Sequence, residues 1–203
     1  MVIIIDMQND FCKPDGTMYV GPRVAETLTN IRRLLERARP LAIPIVYVQS
    51  LRNAASPEIA VYGMNPYVME GTWGSRIDDE IKPNPGDHLV AKRTHDCFHE
   101  TTMDTLLTRL GAEPFTHNIM VCGVNTATCV YHAVIGFHIR HYNVYLPTDC
   151  TASRGETPGL MVLALLDRPA YNFNVTLTAS EIIEFEPTEK LSSADLTPQH
   201  RAT

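Results

Sequence analysis

Residues 118–138 read NIMVCGVNTATCVYHAVIGFH. Ile119 to Cys122 is an apolar run with the length of a buried strand. Gly123 punctuates it, small polar residues follow from Asn125 to Thr128, and Val130, Ala133, Val134 and Phe137 then recur at helical spacing. The pattern predicts strand, tight turn and helix, with Cys129 in the first turn of the helix. A thiol there faces unpaired backbone N–H groups and the positive end of the helix dipole. Both favour the thiolate, which is the nucleophilic form. Open α/β sheets bind ligands at such strand-to-helix junctions. Cys129 is therefore the candidate nucleophile, and the neighbouring segments are read as its support.

Outward from this stretch, strands and helices alternate. Val2 to Ile5 and Ile45 to Val48 are continuous apolar runs, as expected of parallel strands covered on both faces. Between them Val24, Leu28, Ile31, Leu35 and Ala38 keep helical spacing, and Pro40 stops that helix. His88 to Ala91 is a short third strand with Lys92 at its end, and Thr102 to Leu110 a short helix stopped by Gly111. Tyr142 to Leu146 reads as a fifth strand, a helix is expected within Leu160 to Leu166, and a last strand near Val175 to Leu177. Residues 50–86 are irregular, rich in Pro and Gly, and carry the single tryptophan, Trp73. The expectation is one α/β domain over residues 1–190, three-layered (α/β/α) and Rossmann-like. Its doubly wound, mainly parallel sheet has about six strands, and a polar tail follows at 191–203.

Composition narrows the function. The chain has 203 residues and a formal net charge of −6, which offers no basic field for nucleic acid or an acidic membrane surface. Met1 to Ile5 is apolar but lacks a basic leader and meets Asp6 at once, so it reads as a strand rather than a signal peptide. The five cysteines are odd in number and form no C-x-x-C, which excludes a zinc ribbon or dithiol redox motif. They read as reduced, hence cytoplasmic. No G-x-G-x-x-G or P-loop pattern supports a nucleotide-binding module.

Three reactive side chains occupy equivalent places: Asp6 after the first strand, Lys92 after the third and Cys129 after the fourth. Strand ends on one edge of a parallel sheet converge, so the three are expected to share one crevice. The set suits opening a C–N bond. The carboxylate takes the thiol proton and returns it to the leaving amine, while the ammonium lowers the thiol pKa. Backbone N–H groups at Asn125 and Cys129 are placed to hold an oxyanion. Singly, each residue has a plainer reading: a buried thiol, a turn carboxylate, a solvated strand end. His95 and His99 stand four apart, but just before a helix start and with no acidic partner, so a loop or interface role is expected. The other histidines and cysteines read as structural, and Asp149 as a turn cap or a residue near the site.

Four segments, IIIDMQNDFC at 3–12, EGTWGSRI at 70–77, HLVAKRTHDCFHETTMDTLL at 88–107 and VCGVNTATCV at 121–130, resemble in order and spacing the isochorismatase-like cysteine hydrolases. That family includes nicotinamidase and the N-carbamoylsarcosine, ureidoacrylate and biuret hydrolases. The resemblance implies a triad of Asp6, Lys92 and Cys129, a cis peptide at Val124–Asn125, and a pocket lined by Phe11, Trp73 and Thr128. It also implies a cofactor-free enzyme acting on a small molecule, assembled as a homo-oligomer. Metal-dependent nicotinamidases of the family carry Asp-x-His after the second strand, where this chain reads QSLRN, so no metal is expected. Isochorismatases proper lack the cysteine. The expected activity is hydrolysis of a ureido, carbamoyl or carboxamide C–N bond through a thioester, releasing ammonia. The alternatives are an idle family member serving as a binding module, or a nicotinamidase-type amidase.

Overall fold

The computed structural model describes residues 1–168 and 173–186. Its seven strands are β1 (Val2–Ile5), β2 (Ile45–Ser50), β3 (His88–Lys92), β4 (Asn118–Val124), β5 (Asn143–Pro147), β6 (Thr151–Ala152) and β7 (Val175–Thr178). Six of them run in the order β3-β2-β1-β4-β5-β7, with β6 paired to the end of β4. Every pairing of these strands is parallel.

Alternate residues of a strand point to opposite faces, and here both faces are covered. Ile3, Ile5, Val46, Val48 and Val121 pack in one core, against residues of α4 (Met103–Arg109), α5 (Tyr131–His138) and α6 (Glu156–Leu166). Val2, Ile4, Tyr47 and Cys122 pack in the other, against α2 (Arg23–Ala38). This is why β1 carries four consecutive apolar residues with all four buried. The buried stripe of α2 includes Val24, Leu28, Ile31, Leu35 and Ala38, the positions its periodicity marks. Two one-turn helices, α1 (Asn9–Cys12) and α3 (Pro57–Ala60), lie in the connections around the site.

The structure departs from the sequence reading in two elements. The sheet has a seventh strand, β6, because two residues, Thr151 and Ala152, pair with Gly123 and Val124. A two-residue strand leaves no periodicity to read. Helix α6 begins at Glu156, four residues before the apolar run, since Pro158 and Gly159 stand in its first turn, where proline is tolerated. The expected boundary at 190 and the tail at 191–203 lie outside the described residues. No helix among the described residues is long and apolar enough to cross a membrane.

From β1 the chain winds outward through β2 to β3, then returns to place β4 on the other side of β1. The order reverses between β1 and β4, and a crevice opens beyond the carboxyl ends of strands at such a point. Asp6, Lys92 and Cys129 all stand at those ends.

Candidate active site

Asp6 follows β1 in a left-handed conformation, φ 52°, which is costly for a residue with a side chain and common at functional sites. Its carboxylate turns toward the sheet end. Oδ1 accepts the Ser50 N–H at 3.0 Å and Oδ2 lies 2.8 Å from Lys92 Nζ. Lys92 closes β3, paired in register with Ser50, and its ammonium donates to Cys129 Sγ at 3.2 Å and to the Thr94 carbonyl at 3.0 Å. Carboxylate, ammonium and thiol therefore form one continuous buried chain. The three are 1%, 1% and 6% exposed.

Burial sets the protonation state of the sulfur. It pushes the Cys129 thiol up, and the Asp6 carboxylate adds to the rise. Lys92 pulls the other way but does not win, and the thiol stands at about 12. The sequence reading expected helix dipole and ammonium to hold a resting thiolate, and burial corrects it. The resting group is a thiol beside a carboxylate that can take its proton. Lys92 loses affinity for its proton through burial, but Asp6 and Cys129 outweigh that loss, so its pKa lies above the usual lysine value and it stays charged.

Cys129 lies in a π-helical turn, Thr126–Val130, that runs into α5. Such turns interrupt regular helices mostly at functional sites. The peptide bond Val124–Asn125 is cis. Asn125 caps the turn through its side chain, which accepts the Ala127 N–H at 3.2 Å and the Ser153 hydroxyl at 2.6 Å. Thr151 of β6 bonds the Gly123 carbonyl at 2.9 Å and the Thr126 hydroxyl at 2.8 Å. The short strand missed in the sequence thus holds the turn that carries Cys129.

Two of the distant motifs also close around one another. The Gln8 side-chain amide donates to the Ser50 and Ser75 carbonyls, both at 2.8 Å, and accepts the Ser50 N–H at 2.9 Å. Asn9 donates to the Trp73 carbonyl at 2.9 Å. Asp10 accepts the Val68 and Thr17 N–H groups. The buried polar residues after β1 therefore satisfy much of the irregular 68–76 segment, alongside the isolated parallel bridge that Met69 makes with Arg52.

A cavity of about 160 Å³ opens onto the sulfur. Asp6, Phe11, Asn125, Thr128 and Cys129 reach its wall, and Lys92 meets it through the Cys129 sulfur. Trp73 does not line it: the residue is 44% exposed, and Asn9 and Arg76 donate to its backbone carbonyl. Residues missed in the sequence do line it, namely Arg52, Glu58, Tyr67, His95 and Arg154. His95, read as a loop or interface residue, puts Nδ1 3.2 Å from Cys129 Sγ. Its place three residues past Lys92 on a turning segment was the available signal. Arg52 is 1% exposed and paired with Glu58 at 3.1 Å, whereas Arg154 has no ion-pair partner among the described residues and meets Met18 Sδ at 3.8 Å. A separate hollow of about 200 Å³, behind the turn and partly lined by Thr126, Ser153 and Leu160, contains none of the three reactive groups. No cluster of three or more metal-ligating side chains occurs among the described residues.

The isochorismatase domain model matches residues 1–180 of this chain. The chain belongs to the isochorismatase family. Among the relatives of this isochorismatase-family protein, ureidoacrylate amidohydrolase from Rhizobium rhizogenes is 28% identical over 169 residues, covering 71% of this chain and 67% of that one. An uncharacterized isochorismatase family protein from Bacillus subtilis is 25% identical over 186 residues, covering 90% and 96%. Among solved structures, N-carbamoylsarcosine amidase from Thermoplasma acidophilum superposes with a TM-score of 0.76 at 26% identity, covering 91% of this chain and 98% of that one. A nicotinamidase/pyrazinamidase from Bacillus subtilis gives the same TM-score at 17% identity, covering 86% and 97%, and shares the fold.

Proposed function

We propose that this protein hydrolyses the C–N bond of a small ureido, carbamoyl or carboxamide compound through a thioester on Cys129, releasing ammonia. The amidohydrolase class is that of its relatives. The observation that carries the finer reading is the buried chain from Asp6 through Lys92 to Cys129, with contacts of 2.8 and 3.2 Å, opening on a cavity sized for a small molecule.

In this reading Asp6 takes the thiol proton as Sγ attacks the carbonyl carbon. The oxyanion so formed is held by the backbone N–H groups of Asn125 and Cys129. Collapse expels the amine, which leaves as ammonia with the proton from Asp6. Water then adds to the thioester and gives a proton to Asp6. Loss of the sulfur restores the thiol, with Lys92 stabilising each passage of negative charge between carboxylate and sulfur. Phe11 and Thr128 bound the substrate. Arg154, free of carboxylates among the described residues, supplies a guanidinium for an anionic substituent, so ureido acids suit the cavity better than neutral amides.

Ammonia release from a panel of N-carbamoyl amino acids, ureidoacrylate, biuret and simple carboxamides tests the reading. Turnover of at least one ureido compound, strongest among the carboxylates and abolished in Cys129→Ala, is expected. No turnover across the panel contradicts it.

A further inference from the structure

We propose that His95 is a fourth catalytic residue, whose Nδ1–H donates to Cys129 Sγ and stabilises negative charge on the sulfur alongside Lys92. The inference rests on Cys129 being the nucleophile and adds a group that the triad does not contain.

His95 Nδ1 lies 3.2 Å from Cys129 Sγ, the same distance as Lys92 Nζ. The sulfur carries one hydrogen, and the Asp6 carboxylate, 2.8 Å from the Lys92 ammonium that also meets the sulfur, is the stronger acceptor beside it. With the S–H committed to Asp6, sulfur lone pairs face the imidazole. A lone pair on Nδ1 would be repelled by them, so Nδ1 holds the ring proton and Nε2 is left bare. Burial, then Lys92, His132 and Arg52, lower the His95 pKa, and Asp6 opposes them only in part. At neutral pH the ring is therefore a neutral donor. Its proton stays in place while Asp6 moves the one that is transferred, so the proton count of the mechanism is unchanged.

The ring is also positioned. Lys92 Nζ bonds the Thr94 carbonyl at 3.0 Å, and Asp96 caps the Phe98 N–H at 2.8 Å. Phe98 is buried between Phe137, edge-to-face at 4.9 Å, and the Arg140 guanidinium at 3.6 Å. On the outer side the His95 ring meets His132 at 5.7 Å, and His132 is fixed to the Thr128 carbonyl at 2.8 Å. Arg52, Glu58 and Tyr67 are the remaining titratable groups of the cavity wall near the sulfur, besides the more exposed Arg154. The segment thus offers a donor to sulfur in both half-reactions: to the attacking thiolate, and to the thiolate leaving the thioester.

The test needs no substrate. Alkylation of Cys129 by iodoacetamide is followed by peptide mass spectrometry from pH 6 to 10 in the wild-type chain and in His95→Ala, His95→Asn and His95→Gln. Asparagine places an N–H donor where Nδ1 stands, whereas glutamine places it where Nε2 stands. Loss of a hydrogen bond to a charged partner is expected to slow alkylation of His95→Ala about tenfold at each pH across this range. His95→Asn should recover most of the loss and His95→Gln should not. If His95→Ala does not fold, the contrast between Asn and Gln decides alone. An alkylation rate unchanged in His95→Ala, or equal in Asn and Gln, overturns the proposal and leaves the hydrolase reading intact. Failure of wild-type Cys129 to react ahead of the other four thiols overturns both.

Discussion

Asp6→Asn is expected to lower kcat by about 10³–10⁴ while making Cys129 more reactive toward iodoacetamide at neutral pH. The opposite signs follow from the two things the carboxylate does. In the proposed mechanism it accepts the thiol proton and returns it to the leaving amine, and asparagine can do neither. It also raises the thiol pKa, both by its charge and as the acceptor of the S–H, on top of the larger effect of burial. Lys92 is buried and needs one negative partner. With the carboxylate gone, the charge opposite Lys92 moves to the sulfur, 3.2 Å away. Turnover against a ureido substrate and alkylation kinetics measured on the same preparation check both arms. A variant slower in both would mean that Asp6 acts mainly by holding the site together. A variant with unchanged kcat would remove it from the chemistry.

Gly123→Ala is expected to destabilise the protein by about 3 kcal/mol or more and to abolish turnover, a loss of roughly 10 °C in thermal midpoint for a domain of this size. Gly123 has φ 119°, a conformation that side chains rarely adopt, and a methyl group there would be driven into the backbone carbonyl of Ile5. Ile5 and Gly123 are register partners across β1 and β4. Relief of the clash must part these two strands at their carboxyl ends, where Asp6 and the Asn125 turn begin. Thermal unfolding followed by circular dichroism measures the effect. A midpoint within a few degrees of wild type would show that the strand ends can separate freely, contrary to the packing described above.

Much of this fold was legible because fully buried parallel strands need continuous apolar runs. Val2–Ile5 was read with the bounds the structure gives it, and the turn carrying Cys129 was read from Gly123 and the small polar residues after it. What escaped was set by contacts without a period. Thr151–Ala152 forms a strand only because the end of β4 offers it a partner. His95, Arg52 and Arg154 come from segments far apart in the chain, so nothing local marks their convergence on one cavity. Trp73 erred the other way: its Gly-flanked setting suggested a pocket wall, but Asn9 and Asp10 hold that segment by its backbone and leave the indole outward. The protonation state of Cys129 turned on burial, which the residues around it in the sequence do not report.

Acid-quenched turnover analysed by peptide mass spectrometry tests the central claim most directly. With a ureido or carboxamide substrate that releases ammonia, the peptide containing Cys129 should carry an added mass equal to the substrate less ammonia, and Cys129→Ala should show neither adduct nor turnover. Sustained ammonia release by Cys129→Ala, or an adduct confined to another residue, would contradict it.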